Sequence, residues 1–105
     1  LIYMKENIVS IKKSHRKGKK YTAHVKHKKT KKVRMIHFGA SDYEQFKDRT
    51  KVGHYSYKNH GNKKRQENYY NRHSGVKHRR KAILKEKEKS KGVYNAKILS
   101  HRFLW

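Results

Sequence analysis

The segment His60 to Gly75, HGNKKRQENYYNRHSG, constrains the fold most, because a helix start and a helix stop stand at its two ends. Asn62 is suited to accept hydrogen bonds from the first free backbone N–H groups of a helix, and Gly75, following Ser74, to take the positive φ that ends one. The spacing predicts about three helical turns between them. Lys63, Lys64, Arg65 and Arg72 project cations from this helix, and Tyr69 and Tyr70 are its only large side chains able to anchor it.

The flanking chain supplies what such a helix could pack on. Tyr21, Ala23 and Val25 alternate with Thr22, His24 and Lys26, the pattern of a half-buried strand. HKKTKK then reverses the chain and VRMIHFG resumes an extended run, so Lys20 to Phe38 is expected to form a β-hairpin although its turn lacks an Asn-Gly signal. Two strands cannot stand alone, and one face must be covered by helices or a partner. Ser41 and Glu44 have capping-box spacing, predicting a short helix over DYEQFKDR with Tyr43 and Phe46 on one side. Thr50 to Gly61 is expected to be an ordered loop wrapping the central helix.

Beyond Gly75, VKHRRKAILKEKEKSKG predicts a second helix gripped by Ala82, Ile83 and Leu84 and ended by Gly92. Glu86 with Lys89 and Glu88 with Lys91 add i,i+3 support of about 0.2–0.5 kcal/mol each. Its distal half, polar all round, is expected to stand in solvent or along a partner. VYNAKILSHRFLW is the most apolar segment, expected to pack on the Tyr69 side of the central helix or in a groove on a neighbouring protein. At the other end, LIYMKENIVSI reads as a short docking strand or a one-faced helix, and KKSHRKGKK as a mobile basic arm. The numbering starts at Leu1, ahead of Met4, as it would inside a longer product or beside a misplaced start codon. The expected fold class is α+β: a small β-hairpin with two or three helices and extended basic and apolar arms. Residues 1–19 form an N-terminal docking segment and basic arm, 20–75 the α+β unit, and 76–105 a charged helix and apolar C-terminal anchor.

Charge decides the class of partner. Thirty-one Lys and Arg against seven Asp and Glu leave a formal charge of +24 on 105 residues, of which 32% are hydrophobic. Self-repulsion opposes compaction and apolar burial is small, so ordering is expected to depend on partners. Such a chain suits nucleic acid, an anionic membrane surface or acidic protein faces. Without cysteine there are no disulfides or thiolate metal sites, and the longest apolar run, Leu1 to Met4, is too short for a membrane span.

Catalytic and metal readings are weak. His24 and His27 fall on opposite faces of the proposed strand, and His73 and His78 flank the helix stop without a third ligand nearby. His60, Asn68 and His73 match the residue types of a His-Asn-His nuclease but not its spacing, and the acids are too scattered for a hard-metal site. No nucleophile-base-orienter pattern, P-loop or Rossmann glycine pattern occurs. No enzyme, no cofactor and no small-molecule substrate are expected. The positive signal is basic-aromatic interleaving: Lys12 to Arg34 holds twelve Lys and Arg and no acid, and Lys63 to Lys81 holds eight with only Glu67 opposing. These could neutralise phosphates, with Tyr55, Tyr57, Tyr69 or Tyr70 available for stacking. Tyr21, Tyr43 and Tyr69 are read as core side chains.

KKYTAHVKHKKTKKVRMIHFGASDYEQFKDRT, then GHYSYKNHGNKKRQENYYNRHSG, and finally SHRFLW carry a further pattern. Together they resemble a group of small basic proteins of nucleocytoplasmic large DNA viruses, which share a KYT…HFGA.GYE.F passage, a tyrosine-histidine loop leading into KR…Y..RH, and a closing S…LW. The residues carrying the likeness include His37, Phe38, Gly39, Tyr43, Phe46, Tyr57, His60, Arg65, Tyr69, Arg72, His73, Leu104 and Trp105, over Lys20 to Gly75 and Ser100 to Trp105. Lys77 to Lys91 and the first eleven residues depart from it. The resemblance implies a virion protein, and the expected role is a minor capsid component bridging or anchoring major and minor capsid neighbours through apolar termini and basic faces, in the capsid or at its inner face, and in the host cell during assembly. The alternative is a sequence-independent nucleic-acid-binding protein that packages viral DNA. The inner face of an anionic membrane is a further possible contact. The residues expected to dock on partners are Tyr69, Tyr70, Ile98, Leu99, Phe103, Leu104 and Trp105. Those expected to meet anions or phosphates are Lys12, Lys13, Arg16, Lys17, Lys63, Lys64, Arg65, Arg72, Arg79 and Arg80.

Overall fold

The structure, a computed structural model, describes residues 3–105. Leu1 and Ile2, counted above with the N-terminal docking segment, lie outside the described residues. An antiparallel sheet runs in the order β1 (Glu6–Lys13), β2 (Lys19–His27) and β3 (Val33–Ala40). Three helices follow: α1 (Lys63–Ser74), α2 (Arg79–Lys89) and α3 (Ala96–Phe103). The fold is α+β and contains the expected hairpin, whose register pairs Tyr21 with Phe38 and Ala23 with Ile36.

Of the two readings of the first segment, a docking strand or a one-faced helix, the strand is the one that forms, over Glu6–Lys13. β1 pairs along β2, with Ile11 opposite Ala23 and Ile8 opposite Val25, and a register shift at Val9 between them. The block KKSHRKGKK is therefore the end of β1, a turn, and the start of β2. One face of the sheet is covered by α3. Tyr21, Ala23, Val25 and Phe38 meet Ile98, Leu99 and Leu104, all at most 1% exposed, with Tyr94 beside them. Each large apolar side chain buried there contributes about 1.5–3 kcal/mol. α3 starts at Asn95, whose side chain accepts from the Ile98 N–H at 2.8 Å. A second cluster joins Tyr69 and Tyr70 of α1 to Ala82 of α2, and Trp105 packs against both clusters.

Several expectations change. No helix forms over DYEQFKDR. The Ser41–Glu44 capping signal is local, whereas the backbone N–H groups of Gln45, Lys47 and Arg49 find acceptors in distant segments: Lys58 O at 3.2 Å, Leu104 O at 3.1 Å and Phe103 O at 2.8 Å. Alternate residues donating in this way demand an extended chain. Tyr43, read as core, is 71% exposed because that helix is absent, while Tyr21 and Tyr69 are buried. The segment Thr50 to Gly61 is an ordered loop, but it closes over the end of the sheet as well as approaching α1. Tyr21 Oη donates to Asp48 and accepts from the Tyr55 N–H at 3.0 Å, and Gln45 Nε2 donates to Tyr55 O and Asn59 Oδ1.

The distal half of α2 stands in solvent at Lys85, Glu88 and Lys89, but not at Glu86. Glu86, expected in a surface pair, is 4% exposed and accepts from Ser74 Oγ at 2.8 Å, while Lys89 and Lys97 approach it at 3.9 and 3.8 Å. The residues expected to dock on partners are used by the chain itself. Tyr69, Tyr70, Ile98, Leu99 and Leu104 are buried, and Phe103 and Trp105 are partly so. Trp105 stacks on Tyr69 with ring centroids 4.2 Å apart and planes 4° apart. The tail thus takes the first of its two expected positions, on the Tyr69 side of the central helix.

Candidate functional site: a basic cleft between the sheet and the helices

Asn62 and Gly75 frame α1 as the sequence requires. Asn62 Oδ1 accepts from the Arg65 N–H at 3.1 Å, and Gly75 takes φ 67° while its N–H donates to Asn71 O. This phase puts Arg65, Tyr69, Arg72 and His73 on one face, and that face forms one wall of a cleft of about 560 Å³. The opposite wall is Lys19 and Lys20 of β2, Gly39 and Ala40 of β3, and the Tyr43–Glu44 turn; α3 and Leu104 close the floor. Gly39 is required there. Its φ is 79°, and a Cβ would stand 2.7 Å from Leu104 Cδ1.

Five cations line the cleft. Arg65 is tied to Glu44 at 3.0 Å, a contact that holds the Glu44 carboxyl below its ordinary range. Lys97 Nζ donates to His73 O at 3.2 Å and lies 3.8 Å from Glu86. Lys20 is 2% exposed and donates to Tyr43 O at 2.6 Å and Gln45 Oε1 at 2.5 Å. Burial, and then the charge of Lys58, pull its pKa down to about 8, so it is still charged at neutral pH. Lys19 and Arg72 complete the set.

Beneath the cleft runs a closed polar chain. Ser74 Oγ donates to Glu86, so it must accept from His101 Nε2 at 2.8 Å. His101 Nδ1 is then the acceptor for Tyr69 Oη at 2.8 Å. Burial holds His101 neutral, with its pKa pulled down to about 4, and raises the Tyr69 phenol well above its ordinary value. Tyr70 Oη donates to His101 O at 2.7 Å. The serine lies between histidine and carboxylate, and its hydroxyl proton is already given to Glu86. This order suits a structural tie among α1, α2 and α3 more than an activated nucleophile. Among the described residues no group of three or more His, Cys, Asp or Glu side chains could hold a metal ion.

The anion-contact residues read from the sequence separate in space. Arg65 and Arg72 meet in the cleft. Lys12 and Lys13 end β1 and Arg16 and Lys17 follow in the turn, all exposed. Lys63 and Lys64 stand exposed at the start of α1, Lys63 lying 5.1 Å over the Phe46 ring and Lys64 4.0 Å from Glu67. Arg79 bonds Arg102 O at 2.8 Å, and Arg80 is exposed on α2. Lys19, Lys20, Tyr43 and Lys97 were not singled out as cleft residues. Only the packing of α3 against the sheet and of the α1–α2 pair against α3 brings them together, and no local spacing signals it. No family model matches the chain, and neither a curated protein nor a solved structure is significantly similar to it.

Proposed function

We propose that this chain is a non-catalytic structural protein of a virus particle, a minor capsid component that bridges its neighbours through their acidic faces. The observation that carries the bridging role is where the acids go. Glu6, Asp48 and Glu86 are buried, leaving Asp42, Glu44, Glu67 and Glu88 to oppose a surface rich in Lys and Arg. With the apolar tail folded inward, attachment falls to this cationic exterior together with exposed apolar side chains such as Val9, Val33 and Met35. The particle setting is supported by the sequence resemblance. A lysine-directed cross-linking map of purified particles tests the proposal: cross-links to capsid proteins at repeated, fixed positions are expected. Loss of the protein together with the genome core on disassembly would overturn it.

A second reading, sequence-independent nucleic-acid binding, is favoured by one observation: Tyr43 and Tyr57 are more than two-thirds exposed beside cations, with Lys58 Nζ 5.8 Å from the Tyr57 ring. On that reading, replacing Lys63, Lys64 and Arg65 together with Gln lowers affinity for all DNA sequences alike and flattens the salt slope by up to about three units. Filter binding over a salt series measures it, and loss confined to one sequence would count against it.

A further inference from the structure

We propose that the cleft between β3 and α1 is the docking site for a single apolar side chain carried on an acidic peptide segment of a partner protein; this inference rests on the bridging role above. The floor is apolar and small-featured: Ala96 and Leu104, with Leu104 packed against Gly39 where a side chain would otherwise stand, and Ala40 beside it on the sheet wall. At about 560 Å³ the cleft admits one large side chain with its adjoining backbone. The rim is cationic on both sides, with Lys19 on the sheet wall and Arg72 and Lys97 on the helix wall. Glu44 is the only acid in the lining, and it is held by Arg65. An incoming carboxylate can take its place on Arg65, a group suited to bidentate carboxylate recognition.

The same geometry disfavours a nucleobase. The aromatic surfaces deep in the cleft are already engaged, Tyr69 by Trp105 at 4.2 Å, and Trp105 in turn by His60 at 5.3 Å. At the rim stand two exposed ring residues, Tyr43 and His73, the latter tilted against Tyr69 at 4.5 Å. A base entering the cleft would therefore find cations but no open π face on the floor, whereas a leucine or similar side chain would find matching apolar surface.

Trp105 is the only tryptophan and lines the cleft, so its fluorescence reports occupancy. The probe is a short peptide with one leucine flanked by glutamates, compared with the same peptide carrying serine in place of leucine, and with oligothymidylate. The expected result is saturable binding of the leucine peptide with a Trp105 spectral shift, and weak binding of the serine peptide. Arg72→Glu, in the cleft, should weaken the leucine peptide about tenfold more than Arg80→Glu, an equal charge change on α2 outside it. Ala40→Phe, at an exposed strand end, should block the cleft without entering the core, as unchanged melting would verify. Equal weakening by Arg72→Glu and Arg80→Glu would mean diffuse attraction, overturning the cleft site while leaving the bridging role standing. Binding of oligothymidylate that Ala40→Phe abolishes, with no such effect on the peptide, would assign the cleft to nucleic acid and overturn the proposal. Failure of the chain to bind any acidic partner in particles or in solution would overturn the bridging role itself.

Discussion

Trp105 carries more of the fold than its position in the chain suggests, because it lies against both apolar clusters and covers the Tyr69 ring. Its carbonyl also accepts from Gln66 Nε2 at 2.6 Å. Trp105→Ala is expected to cost about 2–3 kcal/mol, less than a fully buried tryptophan, read as a lowered denaturation midpoint. His101 governs the acid side of stability. Its ordinary value of 6.5 falls to about 4 in the folded chain, chiefly through burial. Ser74, Tyr69, Glu86, His73, Lys97 and Arg79 surround it. The unfolded state takes up the proton first as pH falls, so this contribution is complete above about 6.5 and is lost between there and about 4. The slope is up to about 1.4 kcal/mol per pH unit. His37, His60 and His73, also shifted downward by burial, act in the same sense. His101→Gln should flatten, but not abolish, the pH dependence of urea unfolding between these limits. An unchanged slope would show that His101 is not the main acid-sensitive group.

At the scale of elements, the N-terminal strand is held to the helices by few but specific contacts. Arg34 of β3 forks onto Glu6 of β1 at 2.8 and 2.9 Å and reaches Tyr94 O at 2.6 Å, while the Tyr94 N–H donates to Glu6 at 2.8 Å. The Arg34 contact holds the Glu6 carboxyl below its ordinary range. Beside this clamp, the Lys5 N–H donates to Gly92 O at 2.9 Å. Gly92 has φ 84°, and a Cβ there would fall 2.5 Å from Tyr3 O. Gly92→Ala therefore combines left-handed strain with a backbone clash and should destabilise by more than about 1 kcal/mol. Hydrogen exchange would show the loss first as faster exchange in β1, with α1 still protected. Uniform loss of protection would mean that β1 and the helices open as one unit.

For the whole molecule, the governing opposition is between a completed core and a repulsive surface. The Cα radius of gyration, 13.6 Å, is close to the ~13 Å expected of a folded chain of this length. The core is built from residues of one chain, and the surface around it is left strongly cationic. Three acids are placed inside, so repulsion among exposed cations remains as the main electrostatic cost. Added salt should therefore raise the melting temperature by several degrees as the Debye length falls from about 10 Å to about 3 Å. Circular dichroism melts in chloride salts test this, and a melting temperature that falls or stays constant with salt would refute it. Deleting Ser100 to Trp105 removes Leu104 and the Trp105 bridge between clusters, and should abolish the cooperative melt.

What the sequence determined by itself was local or periodic. Asn62 and Gly75 set the limits of α1 through their own backbone chemistry, alternation set the faces of β2, and the apolar ending had to find cover. Two kinds of feature lay beyond it. The capping signal at Ser41 and Glu44 lost to acceptors supplied by Phe103, Leu104 and Lys58, residues distant in the chain, because a helix there would have forfeited those bonds. The cleft combines Lys19 and Lys20 of the sheet with Arg65 and Arg72 of α1 and Lys97 of α3, elements up to seventy-eight positions apart. Each cation looks like any other in a chain holding thirty-one of them. Only packing, which buries Lys20, ties Arg65 to Glu44 and leaves Arg72 exposed, distinguishes one from the next.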